Sequence, residues 1–124
     1  MSYKKLEVWK HARQLSILIH EMTLKLPKFE QYEVASQIRR SIKSVRANIV
    51  EGYRRRYHKK EFIRFITFAI ASADETRDHL DTLYETGSLI DQGLYETIKQ
   101  KIEILGKMLV NFLQAIESRH MKFD

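Results

Sequence analysis

The residues most able to do chemistry in this sequence are cations, and they are crowded. Arg39, Arg40, Lys43, Arg46, Arg54, Arg55, Arg56, Lys59, Lys60 and Arg64 fall within 26 positions that hold only two acids, Glu51 and Glu61. That window carries +8 and the rest of the chain −2, within a net charge of +6. Guanidinium and ammonium groups at this density suit an anionic partner, phosphates above all, whether nucleic acid or another acidic surface. Tyr53 and Tyr57 interleave with the cluster, and an aromatic ring among cations can stack on an exposed base. These ten residues are the expected nucleic-acid-binding set. The bland alternative is a solvated face whose charges pair with acids on a neighbouring helix.

Other chemistries find less support. There are no cysteines, so disulfides and thiolate metal sites are excluded. A di-iron bundle needs Glu-x-x-His pairs on two helices with two further glutamates. Glu7 and His11, like Glu75 and His79, are four apart rather than three, so no metal or other cofactor is expected. Arg13 and His20 have a spacing found in helical ribonucleases of the HEPN type, with Gln14 as the polar residue after the arginine. An imidazole near neutrality can shuttle protons while an arginine holds phosphate. With five His in the chain such spacings arise by chance. His20 also adjoins the core face of its segment, where a satisfied structural histidine is the expectation. There is no Gly-rich phosphate loop and no nucleophile elbow. The expectation is therefore a protein that binds and does not catalyse.

The elements that would carry these residues are helices. Apolar residues recur at helical spacing in four segments. The first, from about 8 to 25, places Trp9, Ala12, Ser16, Ile19 and Met22 on one face with Leu15, Leu18 and Leu26 beside it, and Pro27 ends it. The second, from about 31 to the mid-50s, has Val34, Ile38, Ile42, Val45 and Ile49. The third, from about 59 to 86, has Phe62, Phe65 or Ile66, Ala69, Ala73, Thr76, Leu80 and Leu83, with Gly87 suited to a left-handed cap. The fourth, from about 92 to 118 behind an Asp91 N-cap, has Leu94, Ile98, Ile102, Leu105, Leu109, Phe112 and Ile116. No segment alternates as a strand does. Short connections between long helices predict an all-α, antiparallel up-down-up-down four-helix bundle forming one domain over residues 1–124.

Within this frame, Arg39, Lys43 and Arg46 lie one residue beyond the apolar stripe of the second helix and should flank the core. Gly52 costs the helix nearly ~1 kcal/mol relative to Ala, which predicts a close approach or a helix end. Asn48 and Glu51 share a face and are expected to form a buried pair that fixes register. The third helix begins with Lys59 and Lys60 and carries Asp74, Glu75, Asp78, Asp81 and Glu85 in its second half, against the preference of the helix dipole. Such charges suit a partner: nucleic acid, or the acidic half of a neighbouring subunit. Ile63, Ile70, Ile104, Met108 and Leu113 lie off the main stripes and predict a subunit interface. The N-terminus lacks the apolar run of a secretory signal, and the longest uncharged run, 65–73, is too short to span a membrane. Cytoplasmic residence is the expectation.

Several linked stretches resemble one known family. They are Gln37-Ile38-Arg39-Arg40, Ala47-Asn48-Ile49-Val50-Glu51-Gly52-Tyr53 and Lys60-Glu61-Phe62-Ile63-Arg64-Phe65. The opening Tyr3 to Lys10, Asp74-Glu75-Thr76 through Leu80, and Tyr84 to Leu89 fit as well. Together they resemble the four-helix-bundle proteins also called intervening-sequence proteins, some of which are encoded within insertions in bacterial large-subunit ribosomal RNA genes. The resemblance implies an antiparallel bundle assembled into a ring-like homopentamer. A relative, the accessory variability protein of diversity-generating retroelements, binds a reverse transcriptase and nucleic acid, so the implied partners are nucleic acid or a reverse-transcriptase-like protein. The sequence departs from the family pattern at Arg46, where Ser or Pro is frequent, and near Arg54, where Gly is frequent. Both departures add positive charge.

Overall fold

The computed structural model describes residues 2–118. Four helices account for most of them: α1 (Glu7–Leu24), α2 (Val34–Arg54), α3 (Lys59–Glu85) and α4 (Gln92–Glu117). Short 3-10 turns at Tyr3–Lys5 and Lys28–Tyr32 precede α1 and α2. Among the described residues there is no strand.

Each helix packs on its neighbours in a closed circuit, α1 on α2, α2 on α3, α3 on α4 and α4 on α1. Contacts at the ends give the directions. Tyr3, before α1, adjoins Tyr53 and Arg54 at the end of α2. Lys59, opening α3, donates from Nζ to the backbone oxygen of Glu117 at the end of α4 (2.9 Å). At the opposite end Ser88 Oγ, in the α3–α4 connection, donates to Glu30 Oε1 in the α1–α2 connection (2.6 Å). Consecutive helices therefore run antiparallel, as the apolar stripes and short loops predict.

The stripes are the core. Ile19, Ile38, Ile42, Val45, Ile49, Leu80, Leu83, Ile98, Leu105 and Leu109 are fully buried. Of the alternatives Phe65 and Ile66, Ile66 points inward and Phe65 is half-buried. Phe62, Ile66 and Ile116 form a smaller cluster between the start of α3 and the end of α4. This cluster takes up residues that the sequence assigned to a second face: Ile63, Ile70 and Leu113 pack against it, and Met108 packs on the main core. Ile104 alone of those five stays exposed, at 51%. The other four are half-buried within the chain.

One boundary differs from the periodicity. The second helix starts at Val34 rather than near Gln31. Gln31 is drawn out of it because its side-chain amide donates to Thr23 O (2.6 Å) and Leu26 O (3.2 Å), carbonyls at and just beyond the end of α1. Buried Glu30 then accepts the amide of Val34 (3.0 Å) and supplies the first-turn cap that Ser or Asp would ordinarily give. The other helix ends follow their signals. Gly87 has φ +81°, its N–H meets Tyr84 O, and Asp91 accepts from Leu94 N (3.0 Å).

α2 and α3 are joined by a polar seam inside the apolar interface. Asn48 donates to Ser44 O and Oγ, Ser44 Oγ meets Ser72 Oγ at 2.9 Å, and Thr76 donates to Ser41 Oγ at 2.8 Å. Asn48 thus fixes register through Ser44 and Ser72, while Glu51 turns outward to Arg55. The expected Asn48–Glu51 pair is replaced by this hydroxyl seam, because Ser44 is one turn behind Asn48 and already faces α3.

Candidate nucleic-acid interface

The ten expected site residues separate into two populations. Four have structural partners. Arg39 is half-buried and grips Gln31, donating to its Oε1 (3.2 Å) and backbone oxygen (2.9 Å). Arg46, also half-buried, crosses to α1, where it donates to Ser16 Oγ (3.0 Å) and lies 5.5 Å from the centre of the Trp9 ring. Arg56 donates to Tyr53 O (3.1 Å) at the end of α2 and sits over the rings of Tyr53 and Tyr57. Lys59 caps the end of α4. A cation at the start of α3 opposes that helix's own dipole but complements the adjacent negative end of α4.

The rest face solvent. Arg40, Lys43, Arg54 and Lys60 are exposed and make no hydrogen bond or ion pair with any described residue. Arg55 and Arg64 are held loosely by Glu51 (3.1 Å) and Glu61 (3.8 Å), exposed pairs that hold little energy. Both lie over aromatic rings, Arg55 over Phe65 (5.1 Å) and Arg64 over Phe68 (5.4 Å). Arg54, Arg55, Arg56, Lys59, Lys60 and Arg64 meet at one end of the bundle, around the α2–α3 connection. The Tyr3–Lys5 turn packs against α2 there and brings Lys4 and Lys5 to the same end. The two lysines lie far from the 39–64 window in sequence, and only antiparallel packing joins them to it. Tyr57 is 72% exposed among these cations, whereas Tyr53 is buried at 3% and cannot receive a base.

The acidic half of α3 has partial internal compensation. Asp81 accepts both from Arg77 (3.2 Å) and from Tyr95 Oη (2.7 Å), and Arg77 also bonds Glu103 of α4. The hydrogen bond to Asp81, with partial burial, pushes the Tyr95 phenol up to about 12. Asp74, Glu75, Asp78 and Glu85 lack such partners among the described residues.

The model of the 23S rRNA-intervening sequence protein family matches residues 4–111. The chain belongs to that family. No curated protein matches it. Among solved structures, it is similar to a protein of unknown function from the S23 ribosomal protein family of Bacteroides thetaiotaomicron, with a TM-score of 0.78 and 25% identity over 86% of this chain and 95% of that one.

Within this family member the other candidate chemistries have little geometry. No group of three metal-ligating side chains occurs among the described residues. Arg13 and His20 lie two turns apart on the exposed side of α1. His20 is therefore a solvent-facing residue rather than the satisfied core histidine expected, because the core face of α1 passes through Ser16, Ile19 and Thr23. No helix among the described residues is long and apolar enough to cross a membrane.

Proposed function

We propose that this intervening-sequence protein is a non-enzymatic, oligomeric binding or scaffold protein that engages nucleic acid through the basic end of the bundle. The observation that carries the reading is the set of uncommitted cations there. Arg54 and Lys60 have no partner among the described residues, Arg55 and Arg64 have only exposed ones, and Lys4 and Lys5 join them from the opposite end of the sequence. No buried internal contact has to be broken to free them, so the charge of a phosphate can offset the hydration they lose. The family's name ties its members to a ribosomal RNA context and supports the same reading. Repeating such an end on each subunit of an oligomer would convert weak contacts into avidity.

Salt-dependent binding tests this. With about five phosphates neutralised, the slope of log affinity against log salt is about −3.5 for a single strand and −4.5 for a duplex. Changing Arg54, Lys60 and Arg64 together to Glu should abolish binding and leave the helical fold intact, since none of the three holds a buried contact. Arg56 stays unchanged because it ties the end of α2. Binding that survives the triple change, or that ignores salt, refutes the reading.

A second reading, assembly with protein partners only, draws on the other end of the bundle. Leu24, Phe29, Tyr32 and Ile90 are exposed there, Tyr32 and Ile90 at 85% each. It predicts no affinity for nucleic acid at moderate salt. The ribonuclease alternative predicts RNA cleavage that stops in His20→Ala.

A further inference from the structure

Three hollows along the seam between α1 and α2 run into one another. The first, at the basic end, lies between Tyr3 and Arg54. It shares Tyr3 and Val50 with the second, which passes Trp9 and Ala47. The second shares Lys43 and Arg46 with the third, which reaches His20. The result is a furrow formed by a row of hollows along one side of the bundle, with Arg46 bridging to Ser16 between the second and the third. Its middle is open because Ala47, exposed on α2, is the small residue between Lys43 and Val50.

The furrow combines charge with stacked rings. Tyr3 and Trp9, both half-buried, stack with centroids 5.3 Å apart and planes 24° from parallel. Arg46 lies over the Trp9 ring. Lys43 and Arg54 stand on the rim without partners among the described residues. Two acids also line it: Glu51, which is held by Arg55, and Glu21, at the His20 end. From Arg54 to Lys43 the α2 wall runs 11 residues, or about 16 Å at the helical rise. At a stacked spacing of ~3.4 Å that length matches about five nucleotides of one strand.

We infer that the α1–α2 furrow is a track for single-stranded nucleic acid, with phosphates on Lys43 and Arg54 and an unpaired base on the Tyr3–Trp9 stack. The inference rests on the nucleic-acid reading above and deepens it. Bases in a duplex have both faces covered by their neighbours, so a ring platform selects unpaired ones, and it does so with little sequence preference. An acidic peptide would satisfy the cations but would leave the rings unused.

Trp9 is the chain's one tryptophan and reports directly on its own site. Its fluorescence is followed while the full chain is titrated with an oligouridine of roughly 12 nucleotides, a duplex of equal length and polyglutamate. The single strand should quench Trp9 and bind at least about fivefold more tightly than the duplex, the lower bound for one stacked base. Ala47→Leu fills the furrow without changing charge and with little loss of helix propensity. It should weaken oligouridine by at least fivefold and leave the duplex unchanged. Trp9→Ala should do likewise and Trp9→Phe should restore binding, measured by fluorescence anisotropy of labelled oligouridine. Ala47→Leu keeps the test decisive if Trp9→Ala does not fold. Equal affinity for duplex, quenching by polyglutamate, or indifference to Ala47→Leu overturns the furrow while leaving the basic end standing. Absence of binding to either nucleic acid overturns both.

Discussion

Gly52 and Gly106 are both helical glycines, and replacing each with Ala should move stability in opposite directions. An Ala in a helix interior gains about 0.8–1 kcal/mol over Gly from backbone entropy. At Gly106 in α4 nothing lies within 4 Å of an added Cβ, so Gly106→Ala should stabilise by about that amount. At Gly52 an added Cβ would stand 3.2 Å from Ile66 Cδ1, 3.2 Å from Phe65 Cβ and 3.4 Å from Phe62 Cδ1. The Ile66 methyl can rotate, but Phe65 Cβ is fixed to the backbone of α3. Relief therefore requires α3 to retreat by a few tenths of an ångström, which loosens the Ser44–Ser72 and Thr76–Ser41 bonds along the same interface. Overpacking of this kind costs about 1–3 kcal/mol, so the net effect of Gly52→Ala is a loss of about 1 kcal/mol. The two variants should then differ by about 2 kcal/mol in urea unfolding at unchanged m-value. If Gly52→Ala stabilises as much as Gly106→Ala, the glycine is not there to admit α3 and the account of the α2–α3 seam is wrong.

The other expectations follow from side-chain bonds. Tyr95 has its phenol raised from 10.0 to about 12, chiefly by its bond to Asp81, so it should titrate late among the six tyrosines in an absorbance titration. Because the raised value favours the neutral phenol in the fold, this contribution to stability is complete below pH 10 and is lost as pH rises toward 12; Tyr95→Phe should flatten that part of the stability profile. Gln31→Ala removes the donor to Thr23 O and Leu26 O and should cost about 1–2 kcal/mol. Arg39→Ala should cost less, and the double variant should fall short of the sum in a thermodynamic cycle, since the two residues form one network.

Helical periodicity sufficed for the bundle because each stripe had to be buried and short loops left few ways to do it. Ile38, Ile42, Val45 and Ile49 are buried as their spacing requires, and Gly87 and Asp91 end and start helices by local chemistry alone. Periodicity places Gln31 in a helix because it cannot register a side chain that caps a different helix eight residues back. Ile63, Ile70, Met108 and Leu113 suggested an outer face because a stripe count takes each helix as packed on one side. The small cluster between α3 and α4 half-buries Ile63, Ile70 and Leu113, and Met108 packs on the main core. For the site, composition located the cations but not their partners. Arg46 and Lys43 differ by three positions, yet one is bonded to Ser16 and the other is free of partners among the described residues.

That division separates Arg46 from Arg54. Charge alone would treat Arg46 and Arg54 as equivalent. In the fold Arg46 is anchored across the α1–α2 seam by Ser16 and Trp9, so its charge is held in place at the wall of the furrow. Arg54 is exposed at the last turn of α2, where a cation complements the negative end of the helix and its guanidinium remains free to move. A fixed cation beside a ring platform orients what it binds, whereas a mobile one at a rim attracts. Exchanging Arg46 for Lys would keep the charge but lose the planar group that lies over Trp9, whereas the same exchange at Arg54 would lose almost nothing.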